Sequence, residues 1–454
     1  MNDSAAESAI ARRWTNRALL KLIWPLVIEQ MLAVTMGIAD TVMVATVGEH
    51  AVSGVSLVDA INQLLIIAFS SLATGGAVVV SQYMGRRKNK SARLASRQLI
   101  YVNTAVSVVI TVFALCLRRA SLALIYGDAE SDVMRAAETY FLLSALSYPF
   151  LALYNSAASL YRATGNSRIP MLIALLVNAI NIGGNAVFIF GFNWGVAGAG
   201  LATLICRITA AAVLTVMLIQ SRNSAISLSG IFNIQIRAGM VRSILKVGIP
   251  SCLENSMFQI GKIMASRIFT SFGTAAIAAN AIAAVINSFT FMPAQAFGMA
   301  MLTVVGQCVG AGDYSAAKRN AGKLMKSSYG SVFLLSVLTA LLMNPVLNAF
   351  GLTEEAARIA VILLWIHIIS TPVSWPASFI LPNALRAAGD ARYCMISAGI
   401  SMWAVRVLFS YILAYPFGMG PPGVWIAMVL DWCFRAVCYV LRFRSGKWKE
   451  KRVI

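Results

Sequence analysis

The stretch that most constrains the fold is residues 19–47, which is apolar over a length that can cross a bilayer but contains Pro25, Glu29 and Asp40. A hydrocarbon core needs about 20 apolar residues in a helix, so the stretch predicts a membrane-spanning helix. Carboxylates inside such a helix are costly and usually functional, and the proline favours a bend. Glu29 and Asp40 are about three turns apart and share one face. Such a helix can serve as the moving part of an ion-driven transporter.

The composition is that of an integral membrane protein. Of the 454 residues, 59% are hydrophobic and 12% are charged, and the mean hydropathy is +0.76. Soluble domains carry about a quarter charged residues. The seven cysteines lie mostly in apolar runs without a CxxC pair. We therefore expect free thiols, with no disulfide framework and no metal site built on cysteine.

The formal charge of +20 is distributed in a way that indicates membrane topology rather than nucleic-acid binding. Most of the lysines and arginines fall in segments on one side of the predicted helices, including Arg12, Arg13, the run 86–88 and the tail 447–452. The segments on the opposite side contain Arg118, Arg119, Arg135 and Arg358. This positive-inside bias predicts a multi-pass protein of the inner cell membrane with both termini in the cytoplasm.

Apolar blocks separated by Gly, Pro or charge runs predict an all-α polytopic membrane fold with twelve transmembrane helices. The expected spans are 19–47, 52–84, 97–117, 136–160, 168–191, 196–220, 243–271, 276–309, 321–344, 357–383, 393–417 and 423–442. The longest polar connection, 221–242, is the natural joint between two halves. It separates an amino-terminal lobe (1–220) from a carboxy-terminal lobe (243–442), which a basic tail (443–454) follows.

The two halves repeat in sequence. Residues that match at a separation of 225 are Lys21 and Lys246, Pro25 and Pro250, Glu29 and Glu254, Gly48 and Gly273, Asn62 and Asn287, Gln82 and Gln307, and Gly85 and Gly310. The motif RATGNSR at 162–168 recurs as RAAGDAR at 386–392, and Arg207 recurs as Arg435. Because each half has an even number of helices, we expect two pseudo-symmetric six-helix lobes in the same orientation. Such parallel repeats place the substrate path between them.

Several motifs resemble the multidrug and toxic compound extrusion (MATE) family. They are Pro25 followed by IADTVMVATVG at 38–48, QYMGRR at 82–87, and VNAINIGGNAVFIFGFNWGVAGAGLAT at 177–203. The resemblance covers nearly the whole chain. It implies two lobes around a central V-shaped cavity and the export of organic cations in exchange for Na+ or H+.

The resemblance also implies a cation site in the amino-terminal lobe. In the prokaryotic branch the site maps to Asp40, Asn181, position 185 and Thr203. The family pattern has an acid at position 185, where this chain has Asn185. Other branches place a glutamate in the seventh helix, but that position is Phe258 here. Apart from H+ or Na+ at Asp40, the resemblance implies no metal and no cofactor.

The polar residues near Asp40 have two interpretations. Asn178, Asn181 and Asn185 form one stripe on the predicted fifth helix, and their amide oxygens with Thr203 can complete an oxygen shell around an alkali ion. Asparagines in membrane bundles also hydrogen-bond between helices. Both roles stay open for Asn181 and Asn185, whereas the structural role is favoured for Asn178. For Asp40 itself, the alternative is a hydrated carboxylate near the outer interface.

Two matched acids and an apolar group are further candidates for contact with a substrate. Glu29 and Glu254 each follow the first proline of their half by four residues. They act either as contacts in the cavity or, as we favour, as braces between helices. Phe258, Phe289 and Met292 are expected to form a pliable apolar lining, with ordinary packing as the alternative.

The carboxy-terminal lobe is unusually charged for a membrane segment. Lys262, Arg267 and Arg406 have no evident acidic neighbours, and we expect them to line a wet cavity that favours anionic or zwitterionic substrates. Asp431 and Arg435 are four residues apart, so a local ion pair is expected, although the repeat also leaves a second ion site open at Asp431.

The tenth helix contains the remaining features of interest. His367 is interpreted as a buried packing histidine rather than a proton relay. Pro372, Pro376 and Pro382 predict that this helix is irregular and can act as a hinge.

The sequence contains no nucleotide-binding loop, catalytic triad or metal cluster, so we do not predict an enzyme. We predict a monomeric antiporter that moves small molecules across the lipid bilayer and binds no nucleic acid. A lipid-linked oligosaccharide flippase of the same wider superfamily is the first alternative, favoured if Lys262, Arg267 and Arg406 face a cavity. A receptor or scaffold ranks last, because the cytoplasmic segments are too short for a signalling domain.

The coupling ion is expected to be H+. With Asn185 in place of an acid, the sequence offers one formal negative charge at the amino-terminal site, Asp40, which can exchange a proton. Na+ must lose its hydration on binding, and a second charge would offset that cost better than neutral amides do.

The charge bias makes a direct prediction about topology. Reporter domains fused at Ile454 and inserted in 221–242 should both be cytoplasmic, because an even number of helices separates each site from a cytoplasmic amino terminus. Activity of alkaline phosphatase and fluorescence of green fluorescent protein at each position measure this. A periplasmic signal at either position would contradict the twelve-helix topology.

Overall fold

The computed structural model describes residues 14–127, 130–221 and 224–454, and helices dominate it. Arg12 and Arg13, which contribute to the predicted charge bias, lie outside the described residues. The long helices are α1 (Asn16–Ala45), α2 (Glu49–Gly85), α3 (Asn89–Tyr126), α4 (Ser131–Ala163), α5 (Arg168–Gly191), α6 (Gly195–Gln220), α7 (Ala238–Thr270), α8 (Gly273–Gly310), α9 (Tyr314–Ala349), α10 (Glu354–Ala388), α11 (Ala391–Ala414) and α12 (Pro421–Ser445).

These helices confirm the prediction of an all-α polytopic membrane protein. Within the described residues, eleven helices are long and apolar enough to cross a membrane. The remaining long helix, α7, has 33 residues and carries Lys246, Glu254, Lys262 and Arg267. Charged residues therefore recur along the length of the helix that opens the second repeat.

Several helices extend beyond the predicted spans. Helix α3 begins at Asn89, where hydropathy places a loop, and α7 begins at Ala238. Hydropathy reports the part of a helix that fits the hydrocarbon core, whereas hydrogen bonding continues into polar turns outside it. The predicted irregularity of the tenth helix is confirmed, because its first segment ends at Phe379 and the next begins at Leu381, directly before Pro382.

Wide π-helical turns occur in two helices that correspond in the repeat, at the end of α5 and within α11. In α5 the turn spans Ala186–Gly191, directly after Asn185, and in α11 it spans Ser401–Val407, which includes Arg406. A π turn inserts a residue into the helical register and changes the direction in which side chains point. In this chain one π turn begins directly after the candidate residue Asn185, and the other contains the candidate residue Arg406.

The repeat is visible in the turns as well. Gly48 precedes α2 with φ of 134°, and Gly273 is the first residue of α8 with φ of 87°. Gly165 and Gly389 follow α4 and α10 with φ of 88° and 98°. Side chains rarely adopt these positive φ values, so glycine is required at the corresponding turn of each half.

The chain forms two compact units. Within the described residues, one comprises residues 24–249 and Ile454, here called the amino-terminal unit, and the other comprises 14–23 together with 250–453, the carboxy-terminal unit. These boundaries differ from the lobes expected from sequence, because the predicted linker belongs to the amino-terminal unit.

The predicted linker contacts α3 at described residues that include Ser224 and Gln235. Arg93 Nε donates to the Ser224 carbonyl at 2.8 Å, and Gln98 Nε2 donates to the Gln235 carbonyl at 2.6 Å. Ser224 and Gln235 are therefore held at the polar end of α3.

The basic tail is also packed. Trp448 is fully buried, with its ring stacked 5.2 Å from Phe443 and edge-on to Tyr314 at 5.8 Å, and Val453 is buried against Gly389. Residues 443–453 of the tail are thus part of the carboxy-terminal unit rather than a free charged extension.

His367 lies inside an aromatic cluster of the carboxy-terminal unit. It is fully buried, hydrogen-bonds Thr371 through Nδ1 at 2.8 Å, and packs edge-on against Phe291 at 5.2 Å and Trp432 at 6.3 Å. The interpretation as a satisfied packing histidine agrees with this environment.

The two halves of α1 differ in packing. Leu19, Leu22, Ile23 and Leu26 are buried, whereas between 31 and 45 the only buried residue is Val44. The helix is continuous through Pro25, which lies at the start of this change. The second half of α1, which carries Asp40, is the more weakly packed part.

Each unit contains a buried ion pair at corresponding positions. Arg162 Nη1 donates to Glu29 Oε1 at 2.5 Å in the amino-terminal unit. In the carboxy-terminal unit, Glu254 Oε1 lies 2.6 Å from Arg386 Nη2 and 3.4 Å from Arg435 Nη2. The pairs connect helices distant in sequence, which favours the brace interpretation of both glutamates. Contact of either with a substrate stays a prediction.

The Glu254 pairs are more deeply buried than the Glu29 pair, so we expect their loss to destabilise the protein more. Glu254→Gln should lower the melting temperature more than Glu29→Gln, because it leaves two buried guanidinium groups without their counter-charge. Removing one partner of a buried pair costs roughly 3–5 kcal/mol, and the less buried Glu29 pair should lie below that range. Intrinsic tryptophan fluorescence of the purified protein on heating measures the effect.

Glu138→Gln is the matched control. Glu138 pairs with Arg119 at 3.2 Å at an exposed position, where an ion pair contributes about 0–1 kcal/mol. Equal shifts for all three variants would contradict the proposed role of the buried pairs.

Candidate functional site

Asp40 and Asn185 meet as the sequence predicts. Asn185 lies at the last α-helical turn of α5, and its Nδ2 donates to Asp40 Oδ1 at 2.6 Å. Asn185 is fully buried and Asp40 is half-buried. The carboxylate of α1 is therefore anchored to α5 by a charge-assisted hydrogen bond, which is stronger than one between neutral groups.

The other predicted members of the shell lie in the same region. Asn181 is fully buried close to the Asp40 carboxylate, and its Oδ1 lies 3.5 Å from Asn185 Nδ2. Thr203 is buried on α6 and interacts with the hydroxyl group of Tyr140. Asn178 instead donates to the carbonyl of Ala174 in its own helix at 2.9 Å, which fits the structural role.

Two buried amide atoms of this site have no hydrogen-bond partner within the described residues. They are Asn185 Oδ1 and Asn181 Nδ2. An unpaired buried amide group is costly, and a bound ion or water relieves the cost. The arrangement thus offers one carboxylate and an unused amide oxygen, which suits exchange of a proton or a hard cation.

Sequence analysis missed a second acid in this cluster. Asp59 of α2 interacts electrostatically with Asp40 and accepts a hydrogen bond from Asn62 Nδ2 at 3.2 Å. It is exposed on the unit and also interacts with Tyr140. Asp59 could have been predicted from the sequence, because it is a carboxylate in an apolar stretch, as Asp40 is, and such residues are usually functional.

Arg207 of α6 completes the charged cluster. It interacts electrostatically with Asp40 and Asp59, and its Nη1 donates to Ser147 Oγ at 2.6 Å. The structure therefore adds Asp59 to the single carboxylate, Asp40, that was expected at this site. The described cluster holds two carboxylates and one guanidinium group, so its formal charge is still one negative.

The charged residues of the carboxy-terminal unit pair differently from the prediction. Asp431 and Arg435 do not form the expected ion pair. Asp431 is fully buried, accepts from Ser401 Oγ at 2.5 Å, and lies 3.8 Å from Arg406 Nη1. Arg406 thus has an acidic neighbour that its sequence context did not reveal, and Arg435 faces Glu254 instead.

The predicted apolar lining is only partly accessible. Phe289 is 48% exposed and Phe258 is half-buried, whereas Met292 is buried and serves in packing. Phe258 lies near two guanidinium groups, with its ring centre 5.4 Å from Arg406 Cζ and 5.6 Å from Arg435 Cζ. Lys262, one turn further along α7, is exposed.

All seven cysteines are free, in agreement with the sequence. Within the described residues, no group of His, Cys, Asp and Glu is arranged to hold a metal ion.

Comparison with known proteins identifies relatives over almost the entire chain. The uncharacterized transporter YisQ of Bacillus subtilis is 28% identical over 439 residues, which cover 96% of this chain and 95% of YisQ. The probable multidrug resistance protein NorM of Thermotoga maritima is 26% identical over 457 residues, covering 96% and 94%.

Solved structures share the fold. A MATE transporter in a bent conformation matches with a TM-score of 0.88 and 18% identity over 99% of both chains. A MOP superfamily transporter from Pyrococcus furiosus, for which a reverse polarity of the binding pocket is described, matches with a TM-score of 0.89 and 19% identity over 96% of both chains. These neighbours have twelve transmembrane helices in two lobes.

The family model MatE matches residues 25–187 and 248–412, one match in each half of the chain. The match thus covers both copies of the repeat, and the resemblance inferred from the motifs is confirmed. The chain belongs to the MatE family of multi-pass membrane transporters.

Proposed function

We propose that the protein is a secondary antiporter that expels small organic, cationic or amphipathic compounds from the cell in exchange for H+ or Na+. The observation that carries the proposal is the Asp40 carboxylate, bound by Asn185 on a weakly packed half-helix inside an apolar unit. The names of relatives such as NorM agree with export of drugs. The protein would act as a monomer in the inner membrane, with both termini cytoplasmic, without catalysis, cofactor or nucleic acid.

Asp40 links ion binding to movement in this proposal. Loss of its charge, by a proton or a bound cation, weakens the charge-assisted hydrogen bond to Asn185 that anchors the second half of α1. That half is otherwise weakly packed, so it can bend near Pro25 and change the cavity surface of the unit. Asn181 and Thr203 supply the polar shell, and the accessible Asp59 offers a second carboxylate to a cationic substrate.

We propose H+ as the main coupling ion. Arg207 balances one of the two carboxylates, so the cluster lacks the double negative charge that would offset dehydration of Na+. The Asn185 amide also presents its nitrogen, a donor, to Asp40, so a cation bound to both groups would have to displace this hydrogen bond. A proton needs only one oxygen of the carboxylate.

The first test removes the charge of Asp40. Asp40→Asn should reduce gradient-driven efflux of rhodamine 6G from proteoliposomes to the level of protein-free liposomes, because the substitution keeps size and polarity but cannot exchange a proton. Asp132→Asn is the matched control, since Asp132 is exposed and pairs with Arg135 at 2.5 Å. Undiminished coupled transport by folded Asp40→Asn would refute Asp40 as the coupling residue.

The second test concerns the ion. Efflux from proteoliposomes with wild-type protein should respond to an imposed proton gradient in the absence of Na+. Asn185→Asp should add Na+ dependence, because it places a second carboxylate beside Asp40. Asn178→Asp adds the same charge to α5 at an amide bound to its own helix and should leave ion dependence unchanged. Transport driven only by a Na+ gradient in the wild type would contradict the proposal.

The alternative is a flippase for lipid-linked oligosaccharides. Exposed Lys262 and buried Arg406 favour it, because they suit the phosphate groups of such lipids. Translocation of a fluorescent phospholipid between leaflets, without rhodamine 6G efflux, would favour this alternative over the antiporter.

A further inference from the structure

Four basic residues and two acidic ones form a single cluster in the carboxy-terminal unit. Glu254 binds Arg386 and Arg435, and Asp431 lies next to Arg406. Lys262 interacts electrostatically with Arg406 and, within the described residues, forms no ion pair. Because four positive charges face two negative ones, the cluster has a formal excess of two positive charges.

This excess is not balanced by hydrogen bonding. Arg435 Nε and Nη1 and Arg406 Nε are buried and have no hydrogen-bond partner among the described residues. The 3.8 Å between Arg406 Nη1 and Asp431 is too long for a hydrogen bond, so donors of Arg406 stay available. Unpaired charged donors in a buried place are costly and favour the binding of an acceptor.

The basic groups differ in exposure. Lys262 is exposed, the side chain of Arg406 is 10% exposed, and that of Arg435 is 3% exposed. On α7, Phe258 lies one turn before Lys262, and its ring lies within 6 Å of both guanidinium groups. The lysine is therefore the most accessible of these groups, and the aromatic ring lies beside the two buried ones.

The first repeat lacks this arrangement. At the separation of 225 residues, Asp40 and Asp59 correspond to Ala265 and Ala284, and Lys262 corresponds to Gly37. The acids of one half are therefore absent from the other, which carries the additional lysine. The clusters of the two units have opposite formal charge.

We propose that the carboxy-terminal unit binds an oxyanion of an organic ligand, a carboxylate or a phosphate, at Lys262 and Arg406, with Phe258 against the apolar part of that ligand. Guanidinium and ammonium groups are the usual partners of such oxygens, and the ring provides an apolar surface. The ligand is thus an amphipathic anion or zwitterion, either free or an anionic lipid. That such a ligand is a transported substrate rests on the proposed export function, whereas its binding requires no gradient.

Fluorescein and rhodamine 6G test the proposal because they share a xanthene ring and differ in charge. Fluorescence anisotropy with purified full-length protein in a non-ionic maltoside detergent measures their binding, with empty micelles as the blank. Lys262→Gln should weaken fluorescein binding by about tenfold or more, the effect of one charge-assisted hydrogen bond, and should not weaken rhodamine 6G binding. The exposed Lys262 makes no ion pair whose loss would unfold the protein.

Two further variants distinguish binding at this site from a general effect of positive charge on the protein. Arg406→Lys keeps the charge but removes the planar fork, so it should also weaken fluorescein binding. Lys326→Gln removes one exposed positive charge from α9 of the same unit and should have no effect. Equal fluorescein affinity in wild type, Lys262→Gln and Arg406→Lys, or equal loss in Lys326→Gln, would overturn the proposal.

Competition distinguishes the source of the oxyanion. Displacement of fluorescein by phosphatidylglycerol but not by diacylglycerol assigns the site to a lipid headgroup, whereas displacement by benzoate alone assigns it to a free carboxylate. Both results support the oxyanion site, and displacement by neither would refute it. The binding assay applies no gradient, so absence of fluorescein binding would say nothing against the coupling role of Asp40. Conversely, fluorescein binding can still be measured in a protein that has lost coupled transport.

Discussion

A charge inside a membrane protein needs a compensating polar group, and this requirement determines how the helices within each unit are connected. The ion pair of Glu29 with Arg162 and that of Glu254 with Arg386 connect helices that are far apart in sequence. Apolar helices in lipid gain little from hydrophobic contact with one another, so such polar contacts carry much of the specificity of assembly. They also occupy the same positions in both repeats, as expected if they were present before the halves diverged.

The functional charges differ between the repeats, and these differences explain the chemistry that each unit can perform. Asp40 and Asp59 make the amino-terminal cluster negative, whereas Lys262 and Arg406 make the carboxy-terminal cluster positive. Both clusters lie next to a π-helical turn, after Asn185 in one unit and around Arg406 in the other. A wide turn allows a polar side chain to face inward where a regular helix would direct it elsewhere.

Much of this was predictable from sequence, and the failures have physical causes. The helices follow from apolar runs, and the contact of Asp40 with Asn185 follows from the family motif. The ion pair of Asp431 with Arg435 was expected from spacing alone, but spacing permits a contact without deciding between local and distant partners. Those distant partners are Arg406 of α11 for Asp431 and Glu254 of α7 for Arg435, and no local pattern in the sequence indicates them. Asp59 could have been found, whereas its neighbour Arg207 required the packed structure.

The shared glutamate of the carboxy-terminal unit has a consequence for how such a protein can evolve. Glu254 holds Arg386 and Arg435, and neither pair involves the lobe-specific Lys262. A mutation of Lys262 therefore leaves the braces of that half intact. A duplicated gene with this division of roles can change the ligands of one half while the other half keeps its ancestral chemistry. Proteins of one fold can then differ in their substrates because the charges that stabilise the fold are not the ones that bind the ligand.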